Sequence, residues 1–152
     1  MPLDDAAAPD VAEPGSPSLS LASAVMFVTE LDRAVAFYAD LLTWTVAVHA
    51  VDAALLTCPD GFQLYLRARG PRALHGLGRI GVQYLIWTAL SESDLGRCER
   101  VLRRQSAHVT RSILDGFTVI EGRDPDNSPI LIAYPGPQEA PRHQLMQRIY
   151  QW

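Results

Sequence analysis

The sequence predicts an α+β fold made of two tandem βαβββ units, whose paired curved sheets surround a concave cavity. The order strand, helix and three further strands occurs twice between residues 21 and 136. Equivalent residues recur at a nearly constant offset, with Leu31 matching Leu95 after 64 positions and Pro59-Asp60 matching Pro125-Asp126 after 66. A regular offset of this kind indicates an internal duplication. Two such units suggest curved sheets that face one another, and concave surfaces are where ligands usually bind.

The first unit spans about residues 21–68. A short apolar strand is predicted over residues 24–28, and Thr29 then serves as the N-cap of a helix over residues 30–42. The helix is amphipathic because its apolar residues recur at three- and four-residue steps, as in Leu31, Val35, Tyr38, Leu41 and Leu42. Three strands follow at residues 45–51, 53–57 and 62–67, with a tight turn before the last.

The second unit spans about residues 79–136 and follows a connection with four glycines between residues 69 and 81. Its predicted elements are a strand at 79–88, a helix at 93–105 and strands at 108–114, 117–121 and 129–134. The turn residues Asp115-Gly116 and Asp124-Pro125-Asp126-Asn127 separate the last three strands.

Segments of different composition flank this domain. Residues 1–20 are rich in proline, alanine, serine and acids and contain no aromatic residue, which predicts a disordered leader. Residues 137–152 form a tail that places Leu145, Met146, Ile149 and Trp152 on one face of a predicted short helix. Such a face is suited to docking on the domain, over the cavity mouth or across a dimer.

Composition excludes several classes of protein. The chain has 152 residues, is 48% hydrophobic, and lacks an apolar run long enough to cross a membrane. From residue 21 onward its 13 arginines balance its acidic residues, which argues against nucleic-acid binding. No signal peptide is recognised, so we expect a cytoplasmic protein. Cys58 and Cys98 are expected to be two half-buried thiols.

Three segments resemble the vicinal oxygen chelate superfamily, which includes glyoxalase I, extradiol dioxygenases and bleomycin-resistance proteins. Residues 29–38, with the sequence TELDRAVAFY, look like its first helix. Residues 59–66 and 123–130 look like its two closing hairpins. The resemblance covers about residues 21–136 and implies the paired-unit fold, with a homodimer expected. It says less about function, because one fold supports many chemistries.

Enzymes of that superfamily generally hold a divalent metal with His, Gln or Glu from the first and fourth strands of each unit. In this chain the resemblance places those positions on Ser23, Tyr65 and Leu131, with Gln83 or Tyr84 as the fourth. Leucine and tyrosine are poor substitutes for glutamate at a hard cation. We therefore expect neither the metal site nor another cofactor.

The prediction is a protein that binds a hydrophobic or aromatic small molecule between its units, with drug or natural-product sequestration as one such role. Strand alternation groups the expected ligand-binding residues, which are Phe27, Gln63, Tyr65, Gln83, Trp87 and Leu131.

Two alternatives to ligand sequestration stay open. One is a lyase, isomerase or cyclase, or a dioxygenase-type enzyme, with Glu121 as a weak candidate for catalysis. The other is an interaction protein whose cavity is filled by its own aromatic side chains.

Overall fold

The computed structural model describes residue 15 and residues 19–114 and 116–137. The predicted tail helix, and most of the predicted leader, lie outside the described residues. Ten elements follow one another in the order β1 (Ser23–Val28), α1 (Leu31–Leu42), β2 (Thr45–His49), β3 (Ala53–Thr57), β4 (Gln63–Ala68), β5 (Ile86–Thr88), α2 (Glu92–Gln105), β6 (Thr110–Leu114), β7 (Phe117–Arg123) and β8 (Pro129–Tyr134).

The strands form two four-stranded mixed sheets with the same topology. The N-terminal sheet has the order β1-β4-β3-β2 and the C-terminal sheet the order β5-β8-β7-β6. In each sheet the first strand pairs in parallel with the fourth, and the other pairs are antiparallel. The predicted α+β class and the duplicated βαβββ unit are thereby confirmed.

Both helices pack on one face of the sheets and share a single core. The fully buried members of this core come from both units and include Tyr38, Leu66, Leu102 and Ile120. We call the opposite face of each sheet its helix-free face. In the described residues, no helix is long and apolar enough to cross a membrane.

Strand β5 is much shorter than the predicted strand over residues 79–88. The side chain of Gln83 accepts a hydrogen bond from the Gly78 N–H and donates to the carbonyls of Arg79 and Gly81. Gly78 and Gly81 have positive φ angles of 83° and 134°, which other residues rarely adopt. The chain therefore turns through this segment and becomes extended only at Ile86.

The two helices begin differently. Helix α2 has Ser91 as N-cap, and its side chain accepts a hydrogen bond from the Asp94 N–H at 3.0 Å. Helix α1 has Glu30 rather than the predicted Thr29 as N-cap, with no side-chain cap. Instead, the Asp126 carboxylate of the second unit accepts hydrogen bonds from the Thr29 N–H and hydroxyl. The first helix is therefore fixed by a residue that lies 97 positions away.

Candidate functional site

A cavity of about 740 Å³ lies between the two units. Its wall is formed by the start of β1, the end of α1, the β3–β4 turn, β5 and the start of α2. Most of its surface is apolar. The polar, aromatic and thiol side chains in the wall include Ser23, Trp44, Cys58, Asp60, Gln63, Trp87, Asp94, Arg97 and Cys98.

Two tryptophans form the aromatic part of the wall. The Trp44 and Trp87 rings meet edge to face, with centroids 6.0 Å apart and planes 78° apart. Trp44 follows Thr43, which ends α1 in the left-handed conformation at φ 56°. Trp87 comes from β5, so the pair joins the two units. Both rings are half-buried and keep surface for contact with a ligand.

Gln63 provides an oriented amide at the cavity wall. The Tyr65 hydroxyl donates a hydrogen bond to Gln63 Oε1 at 2.9 Å. Because the amide oxygen is already an acceptor for this bond, the amide NH₂ is the group with free donors. The two residues share the helix-free face of β4, as alternation along the strand requires.

The start of α2 places one cation and one anion beside the cavity. Asp94 Oδ2 accepts a hydrogen bond from the Ser91 hydroxyl at 2.7 Å. Arg97 donates to the carbonyl oxygens of Asp40 at 2.9 Å and Leu41 at 2.8 Å. These carbonyls belong to the last turn of α1, where the helix dipole favours a positive charge.

Both cysteines of the chain line this cavity. Cys58 is half-buried, as the sequence suggested, whereas Cys98 is buried. Burial raises the pKa of the Cys98 thiol, with Arg97 opposing and Asp94 reinforcing the shift. Since the thiolate is the nucleophilic form of cysteine, Cys98 is not an activated nucleophile.

Phe27 and Tyr65 lie outside the cavity, on the helix-free face of the N-terminal sheet. The parallel register pairs Val25 with Tyr65 and Phe27 with Arg67, so the predicted alternation along both strands is observed. Phe27 is 62% exposed and Tyr65 38% exposed. The Arg69 guanidinium lies over the Phe27 ring, 5.0 Å from its centroid.

The helix-free face of the C-terminal sheet is filled by the chain itself. Leu131 faces this side and does not line the cavity, because it is completely buried in a small cluster with Phe117, Val119 and Ala133. Tyr84 and Leu114 pack against that cluster. Glu121 pairs with Leu131 across the sheet and does not line the cavity.

Gln83 and Trp87 do not lie together as the predicted strand would require. Gln83 belongs to the turns before β5, where its amide binds backbone groups. Trp87 is on the helix face of β5 and packs against the main core. The residues before Ile86 do not belong to the strand, so side-chain alternation counted from Gln83 does not apply to Trp87. Ile86 lies opposite Leu131 as Val25 lies opposite Tyr65, so Tyr84, two residues earlier, corresponds to Ser23. Of the predicted ligand-binding residues, Gln63 and Trp87 line the cavity.

The residues at the superfamily's metal positions do not fit a divalent ion. Ser23 and Tyr65 lie on one sheet and Leu131 lies on the other, while Gln83 and Tyr84, the two candidates for the fourth position, lie just before β5. This set contains no carboxylate or imidazole, the donors that such ions require. Among the described residues, no group of three or more His, Cys, Asp or Glu side chains is arranged to hold a metal.

Sequence reasoning missed Trp44, Asp94 and Arg97 as parts of the cavity wall. They follow or lie within the helices, where the amphipathic pattern indicated only core and solvent faces. For Arg97 the sequence does indicate an equivalent residue in the first unit, which is Arg33 at an offset of 64. The position of the cavity was not visible, because it depends on contacts between the units.

Solved structures with the same fold include a glyoxylase/bleomycin resistance protein/dioxygenase domain from Frankia sp. EAN1pec. It is 25% identical, with a TM-score of 0.64, and the match covers 76% of this chain and 98% of that one. A glyoxalase/bleomycin resistance protein from Albidiferax ferrireducens T118 is 18% identical, with a TM-score of 0.61 and coverages of 76% and 98%.

A lactoylglutathione lyase from Agrobacterium tumefaciens is 17% identical, with a TM-score of 0.55 and coverages of 78% and 94%. No family model and no curated protein sequence matches the chain.

Proposed function

We propose that this chain, which has the fold of the vicinal oxygen chelate superfamily, binds a hydrophobic or aromatic small molecule in the cavity between its units. The observation that carries the proposal is the cavity of about 740 Å³ with the Trp44–Trp87 pair in its wall. This volume lies within the range of roughly 300–1,000 Å³ that is usual for ligand sites.

The chemistry of the wall favours a flat apolar body with few polar groups. Aromatic rings bind other rings by offset or edge-to-face contact, and both tryptophans have exposed ring surface. Gln63 supplies oriented amide donors. A few placed polar groups in a mainly apolar wall are typical of sites that orient an organic ligand.

Binding can be measured with the uncharged aromatic probe N-phenyl-1-naphthylamine. In a Trp152→Phe background the remaining tryptophans are Trp44 and Trp87, so energy transfer from these two reports probe binding, and the variants locate the site. We expect saturable binding and a loss of affinity of about tenfold or more in Trp87→Ala, equivalent to about 1.4 kcal/mol. Because Trp87 also contacts the core, Trp87→Phe serves as a milder variant.

Phe27→Ala is the matched control, since it removes an aromatic ring that lies outside the cavity. We expect its affinity for the probe to be unchanged. If Phe27→Ala loses affinity and the folded Trp87 variants do not, the binding site is the helix-free face of the N-terminal sheet. Failure of the unmodified chain to bind the probe contradicts the proposal.

Sequestration and catalysis make different predictions for the fate of a ligand. As part of the proposal, we expect a bound molecule to be recovered unchanged after incubation. A lyase, isomerase, cyclase or dioxygenase-type activity would instead convert it. The proposal also includes a homodimer, an expectation from the resemblance that sedimentation analysis can test.

A further inference from the structure

The charged groups of the cavity point to a class of ligand. We propose that the cavity selects hydrophobic organic cations, in which an aromatic or aliphatic body carries an amine or quaternary ammonium group. This inference rests on the proposed function, that the cavity is a ligand site. It goes further because it predicts the charge of the ligand.

Arg97, the one cation in the wall among the described residues, already binds backbone groups of the protein. Arg97 donates to the carbonyls of Asp40 and Leu41, and α1 has no basic residue of its own in its last turn. A helix C-terminus carries roughly half a negative charge, which this guanidinium offsets. Arg97 therefore stabilises the end of α1, and the dipole there offsets about half of its positive charge.

Two carboxylates, those of Asp60 and Asp94, also line the cavity. Asp94 Oδ2 binds the Ser91 hydroxyl, and Asp94 lies in the first turn of α2, whose dipole offsets part of its charge. Asp60 lies in the β3–β4 turn and is exposed. Within the described residues, it takes no part in an ion pair. Its charge is therefore available to a ligand.

The aromatic rings of the wall, like the carboxylates, favour a cationic ligand. The face of a tryptophan ring is negative and attracts a cation within about 6 Å of its centroid. Trp44 and Trp87 both line the cavity and come from opposite units. A cation with an apolar body would contact the rings while its charge lies near the carboxylates, whereas an anion would meet repulsion.

A pair of isosteric ligands isolates the effect of charge. Trimethyl(naphthalen-1-ylmethyl)ammonium and 1-(2,2-dimethylpropyl)naphthalene have the same shape, but only the first carries a positive charge. We expect calorimetric titration at low salt to show about tenfold tighter binding of the cation. Added salt should reduce this preference, because mobile ions screen exposed charges.

Charge-removing variants identify the groups responsible. Asp60→Asn should lower the preference for the cation about threefold, and Asp60→Asn combined with Asp94→Asn should lower it further. Asparagine is compatible with the turn at position 60 and keeps an acceptor for Ser91 at position 94. Asp52→Asn is the control, since it removes an equal charge from outside the cavity wall.

The outcomes separate the inference from the proposed function. Equal or tighter binding of the uncharged isostere, or an unchanged preference in the double variant, overturns the selection of cations. The ligand site itself then stands if Trp87→Ala still weakens binding. If neither naphthalene compound nor N-phenyl-1-naphthylamine binds, the proposed function fails and this inference fails with it.

Discussion

The two hairpin turns that precede β8 and β4 occupy equivalent positions in the duplicated units, yet their surroundings differ. We call the contact between the β7–β8 turn and α1 the closed junction. We call the region between the β3–β4 turn and α2 the open junction, because the cavity lies there.

Hydrogen bonds between side chains and backbone connect the two units at the closed junction. The Tyr38 hydroxyl donates to buried Asp124 at 2.7 Å, and Asp126 accepts from Thr29. Arg33 donates to the carbonyl of Pro125. Asp124 also accepts from two N–H groups of its own turn, at 2.9 and 2.8 Å. The buried Asp124 carboxylate thus has three hydrogen-bond donors, as a buried polar group requires.

The equivalent positions in the open junction lack these contacts. The offset of 64 places Leu102 where the first unit has Tyr38, and the offset of 66 places Cys58 where the second has Asp124. Leucine and cysteine cannot form the buried hydroxyl–carboxylate bond. Arg97, the equivalent of Arg33, binds the end of α1 instead of a turn carbonyl.

The comparison shows how a duplicated fold can leave a cavity at one of two equivalent junctions. Two identical junctions would both be closed by the same hydrogen bonds. Here the residues that close one junction are replaced in the other, and a cavity remains between the units. The position of the cavity follows from the polar contacts that the open junction lacks.

The largest expected effect in this comparison comes from removing the hydroxyl of Tyr38. Tyr38→Phe leaves the buried Asp124 carboxyl with one donor fewer, and we expect a loss of about 1–3 kcal/mol in the free energy of unfolding. Urea denaturation measures this loss. Tyr65→Phe is the control, because its hydroxyl bond is exposed, and it should change stability by less than about 0.5 kcal/mol. Equal effects of the two variants would show that the buried bond does not hold the closed junction.

A smaller effect is expected from the equivalent aspartates of the two turns. Asp126→Ala removes the acceptor for Thr29 at the start of α1 and should cost about 1 kcal/mol. Asp60→Ala, at the same place in the other unit, should stay within about 0.5 kcal/mol. Thermal or urea unfolding of both variants tests the difference. If Asp60→Ala is as destabilising as Asp126→Ala, the open junction is held by contacts like those of the closed one.

Local patterns were sufficient to predict most of the fold. The apolar spacing of Leu31, Val35, Tyr38 and Leu41 predicted α1, and these four residues are buried. The repeated Pro-Asp turns predicted the duplication, and each turn precedes the fourth strand of its unit, β4 or β8. These features depend on neighbours in sequence, so they can be recognised without the structure.

The site could be predicted only in part, because its geometry depends on distant contacts. Gln63 and Trp87 were expected near a ligand, and they line the cavity. The predicted grouping of Trp87 with Gln83 on one strand face is not observed, because the Gln83 amide binds backbone groups of the turns before β5. The role of Arg97 depends on carbonyls 56 and 57 residues away, which no periodicity indicates.

The smallest expected effect is a change in the pH dependence of stability at the closed junction. Burial raises the pKa of Asp124, and this effect outweighs the hydrogen bond from Tyr38 and those from the turn N–H groups. In the folded state the Asp124 carboxyl therefore keeps its proton at a pH where the same carboxyl in the unfolded chain, with a pKa of about 3.9, has lost it. Protonation of Asp124 in the folded state contributes fully to stability below the unfolded pKa. This contribution is lost as the pH rises through the higher pKa of the folded state.

Asp124→Asn removes this titration and tests the sign. We expect the free energy of unfolding of the unmodified chain, relative to Asp124→Asn, to fall as the pH is raised from 4 toward 7. Tyr38→Phe should make the fall steeper, since the Tyr38 hydrogen bond lowers the pKa of Asp124. Urea denaturation at several pH values measures both trends. A relative stability that rises with pH would mean that the hydrogen bonds outweigh burial, and that the closed junction is held by an ionised carboxylate with a lowered pKa.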